Sequence, residues 1–364
     1  MDPGYYGRMS APSGRTATPA MARAINDRLA LDLLLEHGPL SAPQLRELTG
    51  LSRPTVADLV ERLREAGLVR DGGESGEERR GPNARLYALV AERAHVAGVD
   101  VRRSGVEVVV ADLAGRTVGQ AYRPPGRDDV TGGIVAAVRE AAGERPLHAV
   151  VLGAPGLVHP RTSDLGCAEN IPGWSQDLLP ELRSRLAGGG LPPEVLLENE
   201  TNLAAVAELR VGAARGRADF VLFWLDEGVG GAVVLGGRVR RGMSGGAGEF
   251  GLLETAEGEF CATVARGVAD GTGAAVWDRA LAERVAVGVA TVVKVLDPGL
   301  VVLGGRVGST GGDGLAGAVG ECLRELTKVP TEVRAGGVEG NAVLQGAVLT
   351  ALDLTRDRVF SPVS

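Results

Sequence analysis

No uninterrupted apolar run of about 18 residues, the length needed to span a bilayer, occurs anywhere in the 364-residue chain. The first twenty residues are polar, with Gly, Pro and Ser and no apolar stretch, so they predict a disordered arm over 1–22 and not a signal peptide. Cysteine is almost absent. Cys167, Cys261 and Cys322 are isolated and odd in number, which rules out a disulfide framework and points to a reducing, cytoplasmic setting. Aromatics make up only 3% of the residues, whereas glycine numbers 55, a balance that suits tight turns and closely packed βα units. Basic excess is missing too, since the formal net charge is −7. Residues 1–95 hold 13 Arg and 13 acidic residues, so the whole deficit lies in the remainder. A body of that sign is repelled by phosphate, and contact with nucleic acid is expected only from the N-terminal module and its arm.

What the chain does contain is clearest from Gly50 to Val69, GLSRPTVADLVERLREAGLV. Gly50 ends one helix and permits a tight turn. Ser52 is a good N-cap, and Pro54 falls in the first helical turn, where a missing N–H costs little. Val56, Leu59, Val60 and Leu63 recur at a spacing of three to four and place one face inward. Arg53, Thr55 and Asp58 are left near the N-terminal end, where a recognition helix meets base edges. Upstream, Ala24 to His37 is amphipathic, and Ser41 caps a short helix carrying Gln44, Leu45 and Leu48. Downstream, Arg70 to Leu89 predicts a β-hairpin wing with Arg79, Arg80 and Arg85 at its tip or returning strand. Short three-helix units also serve as protein-binding modules. The capped turn followed by a basic wing favours double-stranded DNA, with Ser41, Gln44, Ser52, Arg53, Pro54, Thr55, Asp58, Arg79, Arg80 and Arg85 as contact candidates.

From about Val96 the pattern changes to strands alternating with helices. Three consecutive strands (His95 to Val101, Gly105 to Leu113, Arg116 to Tyr122) precede a helix near 132–142 and a buried strand at 147–156. A strand at 194–202 runs into a helix, and Asp219 to Val239 predicts a hairpin. A long helix at 277–296, a strand at 300–305 and a closing helix at 341–354 complete the series. Three strands then helix, given twice, is the layout of a duplicated actin-like, ribonuclease-H-like fold with two lobes and a cleft.

Taken in order, LVVLGGRV at 300–307, APGLV at 154–158, ENIPGW at 169–174, LENETNLAAVAELRVGAARG at 197–216 and GAGEFG at 246–251 give a resemblance to the ROK group (repressors, open reading frames, kinases). The resemblance runs from about Ala24 to Leu354 and implies an α/β protein: a winged helix-turn-helix followed by a two-lobed, actin-like sugar-kinase fold. The implied division is an arm at 1–22, a DNA-binding domain at 23–92, lobe 1 at 93–201 plus 340–356, and lobe 2 at 202–339.

The kinases of that group cradle ATP phosphates with glycine turns, and both turns are altered here. Where the first reads Asp-x-Gly-Gly-Thr, this chain has Asp100, Val101, Arg102, Arg103 and Ser104. Where the second reads Gly-Thr-Gly-x-Gly-Gly, it has Asp226, Glu227, Gly228, Val229, Gly230 and Gly231, which puts carboxylates where triphosphate charge would lie. The catalytic Asn-Asp pair reads Asn199-Glu200, and a displacement of about 1 Å can cost on the order of 100-fold in rate. The family's zinc site is also incomplete, with Leu252 in the histidine position and Cys261 as the remaining thiol, so no metal and no cofactor are expected. Asn170, Asn199, Glu200 and Glu249 match positions that contact sugar hydroxyls. They equally fit a structural role, because buried asparagines often satisfy loop backbone. The expectation is therefore a cytoplasmic, sugar-responsive repressor of carbohydrate uptake or metabolism genes, homodimeric or homotetrameric, without a catalytic site. The alternatives are an active ATP-dependent hexose kinase and a regulator whose pocket is vestigial.

Overall fold

A computed structural model of the chain describes residues 19–74, 85–126, 129–160, 162, 165–166, 174, 177–187, 192–226, 228–256, 258–265 and 277–360. They form two compact units, Met1–Arg93 with Asp357–Ser364, and Ala94–Arg356.

In the first unit, α1 (Pro19–His37) precedes a short β1 (Leu40–Ser41), α2 (Ala42–Thr49) and α3 (Arg53–Glu65). A ribbon of β2 (Val69–Glu74) and β3 (Arg85–Leu89) follows, and β1 adds to it in the order β1-β3-β2. Gly50 sits between α2 and α3 at φ +70, left-handed backbone that glycine adopts without steric cost. The four apolar positions expected to face inward on α3 are all buried. Helix α1 begins earlier than composition suggests. Part of the arm expected over 1–22 is helical, because Pro19 suits a first helical turn and Ala20, Met21 and Ala22 are good helix formers. At its middle, α1 is fixed by Arg28, which bonds Asp32 and Asp357 and lies 5.4 Å from the Phe360 ring centroid.

The second unit is built around two five-stranded sheets. The first contains β4 (His95–Arg102), β5 (Gly105–Asp112), β6 (Thr117–Arg123), β7 (Leu147–Ala154) and, after the short ribbon β8 (Leu157–Val158) and β9 (Leu165–Gly166), β10 (Glu194–Asn199). Helices α4 (Val130–Ala142) and α5 (Leu178–Leu186) lie within this series, and α6 (Glu200–Arg210) follows β10. The second sheet contains β11 (Phe220–Leu225), β12 (Val229–Leu235) and β13 (Arg238–Arg240). After the ribbon β14 (Glu254–Thr255) and β15 (Gly258–Glu259), α7 (Phe260–Ala265) and α8 (Arg279–Leu296), it gains β16 (Leu300–Gly304). Helix α9 (Gly305–Leu326), the last strand β17 (Glu332–Ala335) and α10 (Ala342–Val359) complete the chain.

The strand orders are β10-β7-β4-β5-β6 and β13-β12-β11-β16-β17. In chain order each sheet is a three-stranded antiparallel meander extended by two parallel strands, so the duplication read from the sequence is real. Strands β11 and β16 are buried along their whole length, as parallel strands covered on both faces should be. Outer cores form against α4 and α5 on one sheet and against α8 and α9 on the other. A third core joins the inner faces of both sheets to α6 and α10.

Helix α9 was not apparent from sequence. Glycines at 305, 308, 311, 312, 314, 317 and 320 each cost roughly 1 kcal/mol against alanine in a helix interior. Burial of Val307, Leu315, Val319 and Leu323 in the outer core overrides that propensity, and Gly312, at φ +52, kinks the helix.

Helices α6 and α10 approach so closely that a Cβ on Gly346 would overlap the Leu203 carbonyl. Gly346→Ala should therefore destabilise the body by about 1–3 kcal/mol, the usual cost of overpacking, as measured by urea denaturation.

Candidate functional site

On the first unit, the expected DNA-contact residues divide by what already binds them. Ser41 is 5% exposed. With Gln44 it forms a capping box: Gln44 Oε1 accepts from the Ser41 backbone N–H at 2.8 Å, and the Ser41 hydroxyl accepts from the Gln44 backbone N–H at 3.5 Å. The structure thus uses both to start α2. Ser52 caps α3, its hydroxyl accepting from the Thr55 amide at 3.4 Å and sharing a hydrogen with the Thr55 hydroxyl at 2.8 Å. Arg53 and Pro54 are exposed at the helix start. Asp58 is exposed but paired with Arg62, whose other nitrogen reaches Asp27 of α1 at 2.6 Å. Arg85 pairs with Asp71 across the ribbon at 3.2 Å. Arg79 and Arg80 lie outside the described residues. Arg62, a brace between helices, was missed from sequence, although its spacing of four from Asp58 is the signal for such a pair.

In the second unit, β4, β7, β10 and β11 direct their C-terminal ends towards one cavity of about 590 Å³, the place where open α/β sheets bind ligands. Its wall is formed by Arg102 and Arg103, by Pro155–Leu157 after β7, by Asn199–Thr201, by Trp224, Asp226 and Gly228–Gly231, and by Glu249 and Leu252. Asn199, Glu200 and Glu249 are thus brought together as expected. Asn170 and Glu227 lie outside the described residues.

The three pocket residues differ in what they offer. Asn199 is the N-cap of α6. Its Oδ1 accepts from the amides of Thr201 and Asn202 at 2.8 and 3.2 Å, and its Nδ2 donates to the Gly156 carbonyl at 2.9 Å. Most of its hydrogen-bonding capacity therefore holds the wall in place. Glu200 occupies the first turn of α6, where the helix dipole favours an anion, and it lies close enough to support the charge on Arg102. Glu249 is half-buried, and desolvation pushes its carboxyl above the usual carboxylate range.

The first of the two altered turns is closed by ion pairs. Arg102 Nε is 2.7 Å from Asp100 Oδ2, and its Nη1 is 3.2 Å from Asp226 Oδ2. Asp100 is 1% exposed and also accepts from Asn341 Nδ2 at 2.9 Å. Burial pushes the Asp100 carboxyl up, against the opposing pull of Arg102 and Asn341. In the second turn, Gly231 has no room for a side chain, because a Cβ would meet the Phe250 ring and the Leu222 carbonyl. Among the described residues no cluster of His, Cys, Asp or Glu is arranged to hold a metal ion, and no helix is long and apolar enough to cross a membrane.

Fold and cavity together define a class: a winged helix-turn-helix carried by a two-lobed body of sugar-kinase type. Residues 96–271 match the ROK family, and residues 25–81 match the MarR family. The ROK match thus lies within the body, over residues 96–271, and the MarR match within the winged-helix module before it. The chain is 25% identical over 245 residues to the xylose repressor of Bacillus subtilis, a match covering 65% of this chain and 62% of that protein. It is 31% identical over 174 residues to a glucokinase of Streptomyces coelicolor, covering 47% of this chain and 53% of that one. The chain therefore spans less than two thirds of the length of these relatives. A crystal structure of a ROK family transcriptional regulator, described as a homolog of the E. coli MLC protein, shares the fold with a TM-score of 0.67. That match has 18% identity and covers 93% of this chain and 99% of that one.

Glu249 supplies a test of the cavity's electrostatics. Its folded-state pKa is raised, so the carboxyl favours folding below its unfolded pKa, and that contribution is lost as pH rises through the folded value. Glu249→Gln should accordingly raise the melting temperature at about pH 7 and lose the gain by about pH 4, as read by calorimetry at both pH values.

Proposed function

We propose that the protein is a cytoplasmic DNA-binding transcriptional repressor whose grip on its operator is set by a sugar or sugar derivative bound in the cavity of the ROK domain. The observation that carries this reading is the pairing, in one chain, of a capped recognition helix with a sugar-kinase body whose phosphate turns no longer suit ATP. Asp100 and Asp226 hold Arg102 where a glycine turn would otherwise expose backbone amides. The similarity to a xylose repressor supports the regulatory role.

The similarity to a glucokinase, and the retained carboxylate of Glu200 beside Asn199, favour a second reading in which the body still phosphorylates a hexose. The closed phosphate turns argue against it. As a regulator, the protein would pair two winged helices on a near-palindromic operator by forming a homodimer or homotetramer. Ligand must then favour one arrangement of the lobes over another, since equal affinity for both shifts nothing.

The deciding experiment is fluorescence anisotropy of the full chain on DNA upstream of its own gene, titrated with mono- and disaccharides, amino sugars and sugar phosphates. Salt-sensitive, competitor-resistant binding released by one sugar is the expected outcome. Sugar-dependent ADP release at ordinary kinase rates would overturn the reading in favour of the enzyme. On the operator so identified, Arg53→Ala should weaken specific binding by roughly 1–3 kcal/mol, the worth of a good base contact. Unchanged affinity would remove Arg53 from the interface.

A further inference from the structure

Asp226 follows the last residue of β11, its side chain 13% exposed, and two guanidinium groups converge on it. Arg102 Nη1 lies 3.2 Å from one carboxylate oxygen, and Arg306 Nε lies 3.7 Å from the other. The two arginines come from different parts of the body: Arg102 ends β4 of the first sheet, whereas Arg306 lies in the first turn of α9, just after β16 of the second. Partial burial screens such contacts less than surface pairs are screened. Arg102 is further held by Asp100 and by the nearby charge of Glu200.

Asp226 lies on the cavity wall with Arg102 and is backed by Arg306 outside the lining, so its carboxylate occupies the place that a ligand's anionic group would take. The other acidic groups lining the space, Glu200 and Glu249, add repulsion to any further anion. The remaining cation of the lining, Arg103, is exposed at the β4–β5 hairpin. Hydroxyls, by contrast, are good donors to carboxylates.

We propose that Asp226 is a built-in counter-anion that makes the cavity selective for uncharged ligands by closing the seat between Arg102 and Arg306 to phosphate-bearing ones. The proposal rests on the sensor reading above for the claim that the cavity binds an effector, and it adds that effector's charge class. It also makes Asp226 a tie between the two sheets, since its partner Arg102 belongs to the first and Asp226 itself to the second.

The test is titration calorimetry of the full chain with inorganic pyrophosphate, a probe that needs neither DNA nor sugar. The wild type should give no binding heat at about 1 mM ligand, a level that detects even weak sites. Asp226→Asn, which keeps the shape and removes the charge, should gain affinity by at least roughly tenfold over that limit. Asp226→Ser should do the same, and it carries the test if the asparagine variant fails to fold, as judged by circular dichroism. Arg102→Gln added to either variant should erase the gain. Folded single variants that bind no pyrophosphate would overturn the proposal, as would a wild type that binds it equally well. A gain that survives loss of Arg102 would overturn it too, by placing the anion elsewhere. Any of these results leaves the regulatory reading intact, and a failure of the operator and sugar titrations leaves this result standing.

Discussion

At the end of β10 the side chain of Glu198 is 6% exposed, and its carboxylate is met by three donors. The Asn199 amide and the Asn202 Nδ2 each lie 2.9 Å away, and Arg241 Nε lies 2.5 Å away. The walls of the cavity depend on this point. It fixes the first turn of α6, which carries Asn199, Glu200 and Thr201. Through Arg241 it also ties down the start of the segment that leads to Glu249. Thr201 continues the network, its hydroxyl 2.7 Å from the Gly231 carbonyl of β12. Arg241 is itself 42% exposed, so solvent screens its charge, and the buried carboxylate relies on the Asn199 and Asn202 donors as much as on the ion pair. Strand end, helix start and ligand-facing loop are therefore positioned as one object.

How much of this could be read beforehand depends on whether the signal was local. The recognition helix was, since Gly50, Ser52, Pro54 and the spacing of Val56, Leu59, Val60 and Leu63 all act within one turn of their own position. The duplicated meander was also legible, because β-branched runs bounded by glycine mark strands without reference to partners. Helix α9 was hidden because its glycines argue against a helix and only packing on α8 supplies the reason for one. Ser41 and Gln44 could be placed at a helix start, but their mutual hydrogen bonds, which take them out of circulation, are geometric facts. The same holds for Asp226. Its charge beside a glycine turn was visible, whereas its contacts with Arg102 and Arg306 bridge residues 124 and 80 positions away in the chain.

Charge on the recognition helix is unexpectedly even. Arg53, Arg62 and Arg64 are offset by Asp58, Glu61 and Glu65, and Arg62 is committed to Asp27 and Asp58. A helix of that balance draws little attraction from phosphate itself. In the proposed DNA complex, attraction to phosphate then falls to other basic residues of the module, and the helix is left to base discrimination. The body makes the complementary choice. Its cavity pairs Arg102 internally and presents the carboxylates of Glu200 and Glu249 to whatever enters.

The scarcity of aromatic residues gives one of them an optical role. Trp224 lies at the Gly230 register of the β11–β12 pair, 6% exposed, and it forms part of the cavity wall. The chain has only two other tryptophans, Trp174 and Trp277. An indole held against the ligand space responds to changes in local polarity and water content. The protein therefore carries an intrinsic fluorophore at its candidate sensing site, and occupancy can be followed by emission from the unlabelled chain.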